Sequence, residues 1–336
     1  MTSNPDWFDK VPKVELHLHL EGAIPRPALW ELMQKYGGDA SVPNIQALDE
    51  KFTFANFPEF IQTWIWKNQF LREYEDFTFF SEAFARELVS QNIRYAETFF
   101  SPVRFTEAGM EAGLLFEAVR RGLNKVPDVD VSLISDLTRD YGPDQAKVTL
   151  AEVNESKGSG IIGIGLGGSE HNFAAELFTE VYARARDMGF HVTAHAGEAA
   201  GPESVWGAIQ HLQAERIGHG VRSGEDEALL DHLAESKIPL EMCPHSNVCT
   251  QVVESIEQHP VKEYFDRGIM VTVNTDDPGM FGNTLSSEYR LLHERLGFSQ
   301  DGVRQVILNG VNSTWLPEDR KAAMVSEFTS DEAWAM

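Results

Sequence analysis

Apolar residues fall along this chain in two alternating rhythms. Short apolar runs at Ile93–Phe100, Val129–Asp136, Ile161–Gly165, Phe190–His195, Arg216–His219, Pro239–Met242 and Met270–Asp276 predict strands. The stretches between them, Glu107–Lys125, Asp144–Lys157, Ala174–Met188, Glu203–Leu212 and Asp226–Ser236, carry apolar positions at helical spacing. Val14–Leu20 supplies an eighth strand. Short apolar strands separated by helices imply a parallel sheet buried on both faces, and eight such units imply a (β/α)8 TIM barrel.

After the first strand, Pro25 and Pro27 open a helix with Leu29, Leu32 and Met33 on one face, and Ser41–Glu50 reads as a polar interruption. From Phe52 to Gln91 the sequence is strongly helical and rich in aromatics, among them Phe57, Phe60, Trp64, Trp66, Phe70, Phe77, Phe79, Phe80 and Phe84. Such stripes usually build core. This one follows the first strand, where barrel enzymes place lids, so residues 40–91 are expected to form a helical insertion that is core with a partial lid. The chain from Leu285 predicts C-terminal helices packed beneath the barrel. No repeat or linker interrupts the pattern, and residues 1–336 are expected to be a single domain.

Charge narrows the partners. With 28 basic and 52 acidic residues the net charge is -24, which leaves no excess of Lys and Arg to neutralise phosphates and argues against nucleic acid. A neutral or cationic small molecule is the favoured ligand class on this ground, and no obligate protein partner is evident. Two cysteines, Cys243 and Cys249, cannot build a disulfide framework. The first ten residues lack a basic region followed by an apolar run, and no apolar stretch is long enough to span a bilayer, so a cytoplasmic, membrane-free location is expected.

Parallel barrels carry their chemistry at the C-terminal ends of the strands. His17 and His19 project to one side of the first strand, because side chains alternate along it. His195 opens H-A-G-E at the end of the fifth strand, His219 lies in R-I-G-H-G at the sixth, and Asp276-Asp277 end the eighth. His17, His19, His195 and Asp276 form a reasonable site for one zinc ion per chain, three nitrogens and one oxygen with room for water. Zinc lowers the pKa of bound water from about 9 to about 7 in a favourable site. His219 then orients or deprotonates that water, Asp277 holds it or a substrate nitrogen, and Glu198, three residues after His195, is a proton donor. Blander accounts exist for each: turn chemistry for Asp276-Asp277-Pro278-Gly279, a helix cap for Glu198, a packing role for His219. All of them would have to hold at one barrel face.

The motifs H-L-H-L-E-G (His17–Gly22), H-A-G-E (His195–Glu198), R-I-G-H-G (Arg216–Gly220), C-P-H-S-N (Cys243–Asn247) and N-T-D-D-P (Asn274–Pro278) together resemble the adenosine deaminase family, from Pro12 to the C-terminal helices. The resemblance implies one zinc on the four ligands named, with water attacking C6 of an adenine ring and ammonia leaving. It implies that Glu198 protonates N1, His219 acts as base, Asp277 contacts water and ring, and the backbone N–H of Gly168 meets the purine. Adenosine deaminases usually have Asp where Glu21 stands, at the residue that meets the ribose 5′-hydroxyl, and Ser169 and His245 replace a usual Asp and Thr. Adenosine and 2′-deoxyadenosine, converted to inosine products and ammonia, are the expected substrates, with adenine or a modified nucleoside such as 6-aminodeoxyfutalosine as alternatives.

Two readings of other classes compete. A binuclear barrel amide or phosphoester hydrolase also begins with H-x-H, but it resembles a site bridged by a carboxylated lysine at the fourth strand, where this chain has Ile164-Gly165-Leu166-Gly167. A non-catalytic purine-binding barrel is the other. The H-x-E with P-C-x-x-C deaminase class does not match the spacing of Cys243 and Cys249.

Overall fold

The computed structural model describes residues 7–54 and 57–336, apart from the side chains of residues 57, 58 and 61. Phe57 of the aromatic stripe and the first six residues therefore lie outside the described parts. Eight strands run parallel in chain order: β1 (Lys13–Glu15), β2 (Ile93–Phe100), β3 (Asp130–Asp136), β4 (Ile161–Gly165), β5 (His191–Ala196), β6 (Arg216–His219), β7 (Leu240–Met242) and β8 (Val271–Val273). Each pairs with the next, from Lys13↔Ile93 to Met242↔Val273. Leu18 bridges Asp276 and His19 bridges Phe99, so the segment after β1 joins the ends of β8 and β2 and brings the barrel round on itself. This is the TIM barrel that the alternating pattern implies.

β1 and β8 are shorter than their apolar runs, and side chains explain why. Leu16 N–H and His17 N–H both donate to Asn274 Oδ1, at 2.9 and 3.2 Å, and Thr275 N–H donates to the Glu15 carboxylate at 2.8 Å. Where side chains satisfy the backbone in place of a neighbouring strand, the ladder ends. Helix boundaries differ for similarly local reasons. Ile45–Lys51 is helical although Ser41–Glu50 reads as a polar interruption, because the Asn44 side chain accepts from Ala47 N–H at 2.9 Å and caps it. Within Glu107–Lys125 only Ala112–Leu123 is helical; Glu107 ends a separate short helix, Val103–Glu107, and Gly109, whose φ of 92° suits glycine, lies between the two.

Between β1 and β2 lie the helices Arg26–Lys35, Ile45–Lys51, Phe57–Asn68 and Tyr74–Ser90. The last begins at a reciprocal cap between Glu73 and Asp76. The C-terminal helix Gln300–Ser313 packs on the opening of the barrel: Asn309 Nδ2 donates to Val271 O at 3.0 Å, and a Cβ on Gly310 would stand 2.9 Å from Val14. No described helix is long and apolar enough to cross a membrane.

One buried ionic group ties strands across the interior. Arg216 on β6 meets Glu97 of β2 and Glu241 of β7, each at 2.6 Å, with its guanidinium 3.6 Å from the Trp315 ring centroid. Replacing such a group with apolar residues is often neutral, whereas removing one member costs about 3–5 kcal/mol because a charge is left uncompensated.

Candidate active site

All the polar residues expected at the strand ends converge on one mouth of the barrel. His19 Nε2 lies 3.2 Å from His195 Nε2 and 3.3 Å from Asp276 Oδ1, while His17 Nε2 lies 3.7 Å from that same oxygen. His219 stands in the same group, its ring centroid 4.8 Å from that of His17, and His17, His195, His219 and Asp276 each offer a ligand atom within 4.8 Å of the others. Five groups therefore meet where the sequence argument assigned four to a metal.

The hydrogen bonds of the far ring nitrogens separate them. His17 Nδ1 lies 2.9 Å from Glu241 Oε2, which accepts from Nδ1–H and so leaves Nε2 with a lone pair; that nitrogen is buried and has no hydrogen-bond partner. His219 is set the opposite way. Val261 N–H donates to His259 Nδ1, His259 Nε2–H lies 3.1 Å from Asn247 Oδ1, and Asn247 Nδ2 donates to His219 Nδ1 at 3.2 Å. The proton of a neutral His219 is thereby assigned to Nε2, which faces Glu198 Oε2 at 3.5 Å. A nitrogen that carries a proton is a donor rather than a ligand, which sets the role of His219 apart from that of the imidazoles it stands among.

The remaining donors fit a metal. For zinc bonds of about 2.0–2.1 Å the edge of a coordination tetrahedron is about 3.3–3.4 Å, close to the 3.2, 3.3 and 3.7 Å separations among these atoms. Asp276 is oriented by Ser246, whose hydroxyl donates to Oδ2 at 2.6 Å and leaves Oδ1 for the imidazoles. Burial lowers the pKa of His17 and, helped by neighbouring imidazoles, holds His195 well below the usual range, which keeps both neutral as ligands must be. Burial also opposes charge on His19 and Asp276, yet their mutual hydrogen bond prevails: His19 rises to about 10 and Asp276 falls well below an ordinary carboxylate. The pocket favours positive charge.

Glu198 and Asp277 flank this centre. Burial raises Glu198 from 4.5 to about 7 and Asp277 from 3.8 to about 7, so each carboxyl can carry a proton near neutral pH. Asp277 presses against the chain: a Cβ on Gly22 would fall 1.5 Å from its Oδ1. Glu21 is buried, accepts from Ser101 N–H at 2.9 Å through Oε1, and leaves Oε2 without a partner. Gly168 has φ 94° in the loop after β4, and a Cβ there would meet Asp140 Oδ2, which accepts from Ser169 N–H at 2.8 Å.

Several residues that hold this site have no counterpart in the sequence argument. The Glu170 carboxylate accepts from the backbone N–H groups of Gly197, Glu198, Ala199 and Ala200 at 2.6–3.1 Å and pins the turn that carries Glu198. Arg139 donates to His195 O at 2.6 Å and Leu166 O at 3.1 Å, which ties the ends of β4 and β5. Lys67, from the helix Phe57–Asn68, is buried and donates to Glu21 O at 2.6 Å. Ser246 and Asn247 lie within a quoted motif, and Glu170 follows Ser169. Glu241 and Lys67 had no local signal, since their roles exist only across chain separations of 224 and 46 residues.

The family model described as adenosine deaminase matches residues 12–331. The chain is 36% identical over 332 residues to the aminodeoxyfutalosine deaminase of Streptomyces coelicolor, covering 96% of this chain and 85% of that protein. It is 36% identical over 311 residues to the adenine deaminase of Bordetella avium, covering 92% and 98% respectively. Among solved structures, the adenine deaminase of Arthrobacter aurescens superposes with a TM-score of 0.90 at 30% identity, covering 95% of this chain and 98% of that one. A zinc-bound amidohydrolase from Burkholderia ambifaria superposes with a TM-score of 0.89 at 25% identity, covering 98% and 92%. With the family model running from before β1 to the last helix and relatives aligned over nearly the whole barrel, the chain belongs to the adenosine deaminase family of metal-dependent hydrolases and is a deaminase.

Proposed function

We propose that this enzyme hydrolyses the exocyclic amine of a 6-aminopurine nucleoside, with adenosine and 2′-deoxyadenosine as reference substrates, and that it carries one zinc per chain on His17, His19, His195 and Asp276. The observation that carries this reading is the pairing of that donor set with Glu198, a half-buried carboxyl 3.5 Å from His219 that can hold a proton near neutral pH. Bound there, zinc supplies an activated water at neutral pH.

The residues divide the remaining work. Glu198 gives a proton to ring N1, which leaves C6 electron-poor. His219, with its proton on Nε2, donates to the incoming oxygen and steadies the charge that develops on it, while the water's proton passes to the Asp277 carboxylate. Asp277 accepts from the water and faces the ring, and the Gly168 N–H holds the purine edge. Oxygen bonds to C6 and the C6–N bond breaks with a proton delivered to nitrogen, so water is consumed and ammonia released. Glu21 faces the sugar side, where its unpartnered Oε2 awaits a donor. Phe60 of the insertion stacks on Phe281 at 5.1 Å, in support of residues 40–91 as a lid over a single barrel domain.

The test is direct: purified, metal-analysed protein is assayed for ammonia release from adenosine, 2′-deoxyadenosine, adenine and adenosine derivatives. One zinc per chain with release from any of these supports the reading. Two equivalents of metal favour the binuclear hydrolase, and a zinc-loaded chain inert toward all of them favours the non-catalytic barrel.

A further inference from the structure

Four successive backbone N–H groups of one turn point at a single carboxylate. Glu170 Oε1 accepts from Gly197 N–H at 2.8 Å and from the Ser204 hydroxyl at 2.5 Å, while Oε2 accepts from the N–H groups of Glu198, Ala199 and Ala200 at 3.1, 2.6 and 3.1 Å. Consecutive amides converge in this way beside a left-handed residue, and Gly197, at φ 67°, supplies it. Such a concavity binds an anion, and here the chain fills it with its own side chain, 5% exposed. Glu170 reaches it from the loop after β4, two residues beyond Gly168, where Asp140 holds the intervening Ser169 N–H at 2.8 Å. Arg139 ties the same two segments a second time, through Phe173 O at 3.0 Å on the loop side and His195 O at 2.6 Å on the strand side. The loop that carries the Gly168 N–H and the turn that carries Glu198 are thus joined by charge-assisted hydrogen bonds, which are short and directional.

We propose that Glu170 is a positioning residue for the proton donor: it fixes the separation between the Glu198 carboxyl and the Gly168 N–H, the two groups assigned to the purine, so that the acid meets N1 while the edge of the ring is held. The inference rests on the deaminase reading above and adds a residue that acts through Glu198. A shift of the turn by about 1 Å is enough to cost about a hundredfold in rate. A carboxylate that only stabilised the fold would leave the turnover of folded, zinc-loaded enzyme as it is, whether or not Glu198 were present.

The test is a double-mutant cycle on zinc-loaded enzyme, with rates taken per bound zinc on whichever of the adenine compounds above is turned over fastest. Glu170→Gln keeps the size of the side chain but turns an amide NH2 toward backbone donors, and should lower kcat/KM about a hundredfold with zinc content unchanged. Glu170→Asp keeps both acceptor oxygens on a shorter arm and should fall between that variant and the parent. Beside Glu198→Ala, where no acid remains to be placed, Glu170→Gln should cost about threefold or less, because residues that act as a unit are not additive. A Glu170→Gln enzyme within about threefold of the parent, or a loss of about a hundredfold that persists beside Glu198→Ala, overturns the inference and leaves the deaminase reading intact. Should Glu170→Gln fail to fold, the cycle is run with Glu170→Asp, and a loss that is absent from it, or that persists beside Glu198→Ala, overturns the inference in the same way. Parent-like turnover by Glu198→Ala overturns both.

Discussion

Replacing Glu198 by Gln isolates proton donation from everything else at the site. The amide matches the carboxyl in shape, and the backbone beneath it stays pinned by Glu170, which accepts from Glu198 N–H at 3.1 Å and Ala199 N–H at 2.6 Å. Metal content should not change, because Glu198 meets His219 rather than the donor atoms of His19 and Asp276. Loss of a positioned general acid costs about 10²–10⁴-fold, or about 2.7–5.5 kcal/mol of barrel-bound transition-state stabilisation. The pH profile adds a second handle. With burial lifting the carboxyl to about 7, half of the molecules hold the proton at that pH, and kcat/KM should fall about tenfold for each unit above it. The assay is ammonia release by metal-replete protein across about pH 5 to 9, with zinc measured on the same samples. A metal-replete Glu198→Gln enzyme within about tenfold of the parent, or a parent profile flat from about pH 6 to 9, would refute the assignment of Glu198 as the acid.

Gly22→Ala should push the Asp277 carboxylate out of place, since the new Cβ would fall 1.5 Å from its Oδ1; a misplacement on that scale costs about a hundredfold in kcat/KM, and unchanged kinetics in a folded variant would remove Asp277 from the site. His17→Ala and Asp276→Ala should each lose zinc, read by metal analysis after dialysis, and full occupancy in either contradicts the ligand set. Glu288, buried beside Asn283 and the backbone of His245, is pushed up to about 8 by burial. Because its folded pKa exceeds the unfolded value of about 4.3, the folded chain keeps a proton that the unfolded chain releases; its contribution is full below that value and lost as pH rises through about 8, at about 1.4 kcal/mol per unit. Glu288→Gln should flatten the decline in denaturant midpoint between about pH 5 and 8.5, and parallel declines in the two proteins would show that this carboxyl is not the source.

The sequence was legible where one residue type carries its meaning locally. Ile93–Phe100, Ile161–Gly165 and Arg216–His219 match β2, β4 and β6 residue for residue, because each is a short apolar run between turn signals. The histidines and Asp276 were found because barrel topology sends every strand end to one mouth. What could not be read is the layer that sets their direction. Glu241 decides which nitrogen of His17 is free, Asn247 and His259 decide the same for His219, and Ser246 decides which oxygen of Asp276 turns inward. Each acts through a single contact whose partner is distant in sequence, or, for Ser246, lies in a motif that carries no spacing rule. The helix at Ile45–Lys51 was hidden in a polar run for the opposite reason: its signal, the Asn44 cap, is one residue long.

Two of the groups at the centre stand on backbone that resists them. His219 has φ 63° and Asp276 φ 67°, left-handed values that cost a non-glycine residue on the order of 1 kcal/mol or more. Both are held from more than one side. The residue after His219 donates to Gly218 O and to Ala196 O, each at 3.0 Å, which closes a tight turn about the imidazole and fastens it to β5. Asp276 donates to His17 O at 3.1 Å and accepts from His19 N–H at 2.8 Å, so the strand that supplies the paired imidazoles also fixes the carboxylate opposite them. A relaxed backbone at either position would carry the strand onward and turn these side chains elsewhere. The strain is thus confined to the two strand ends where an imidazole and a carboxylate must face inward, and the interactions that maintain it are the same ones that bring β1, β5, β6 and β8 together at the mouth. Local misfit at His219 and Asp276 and closure of the barrel are two consequences of one set of hydrogen bonds.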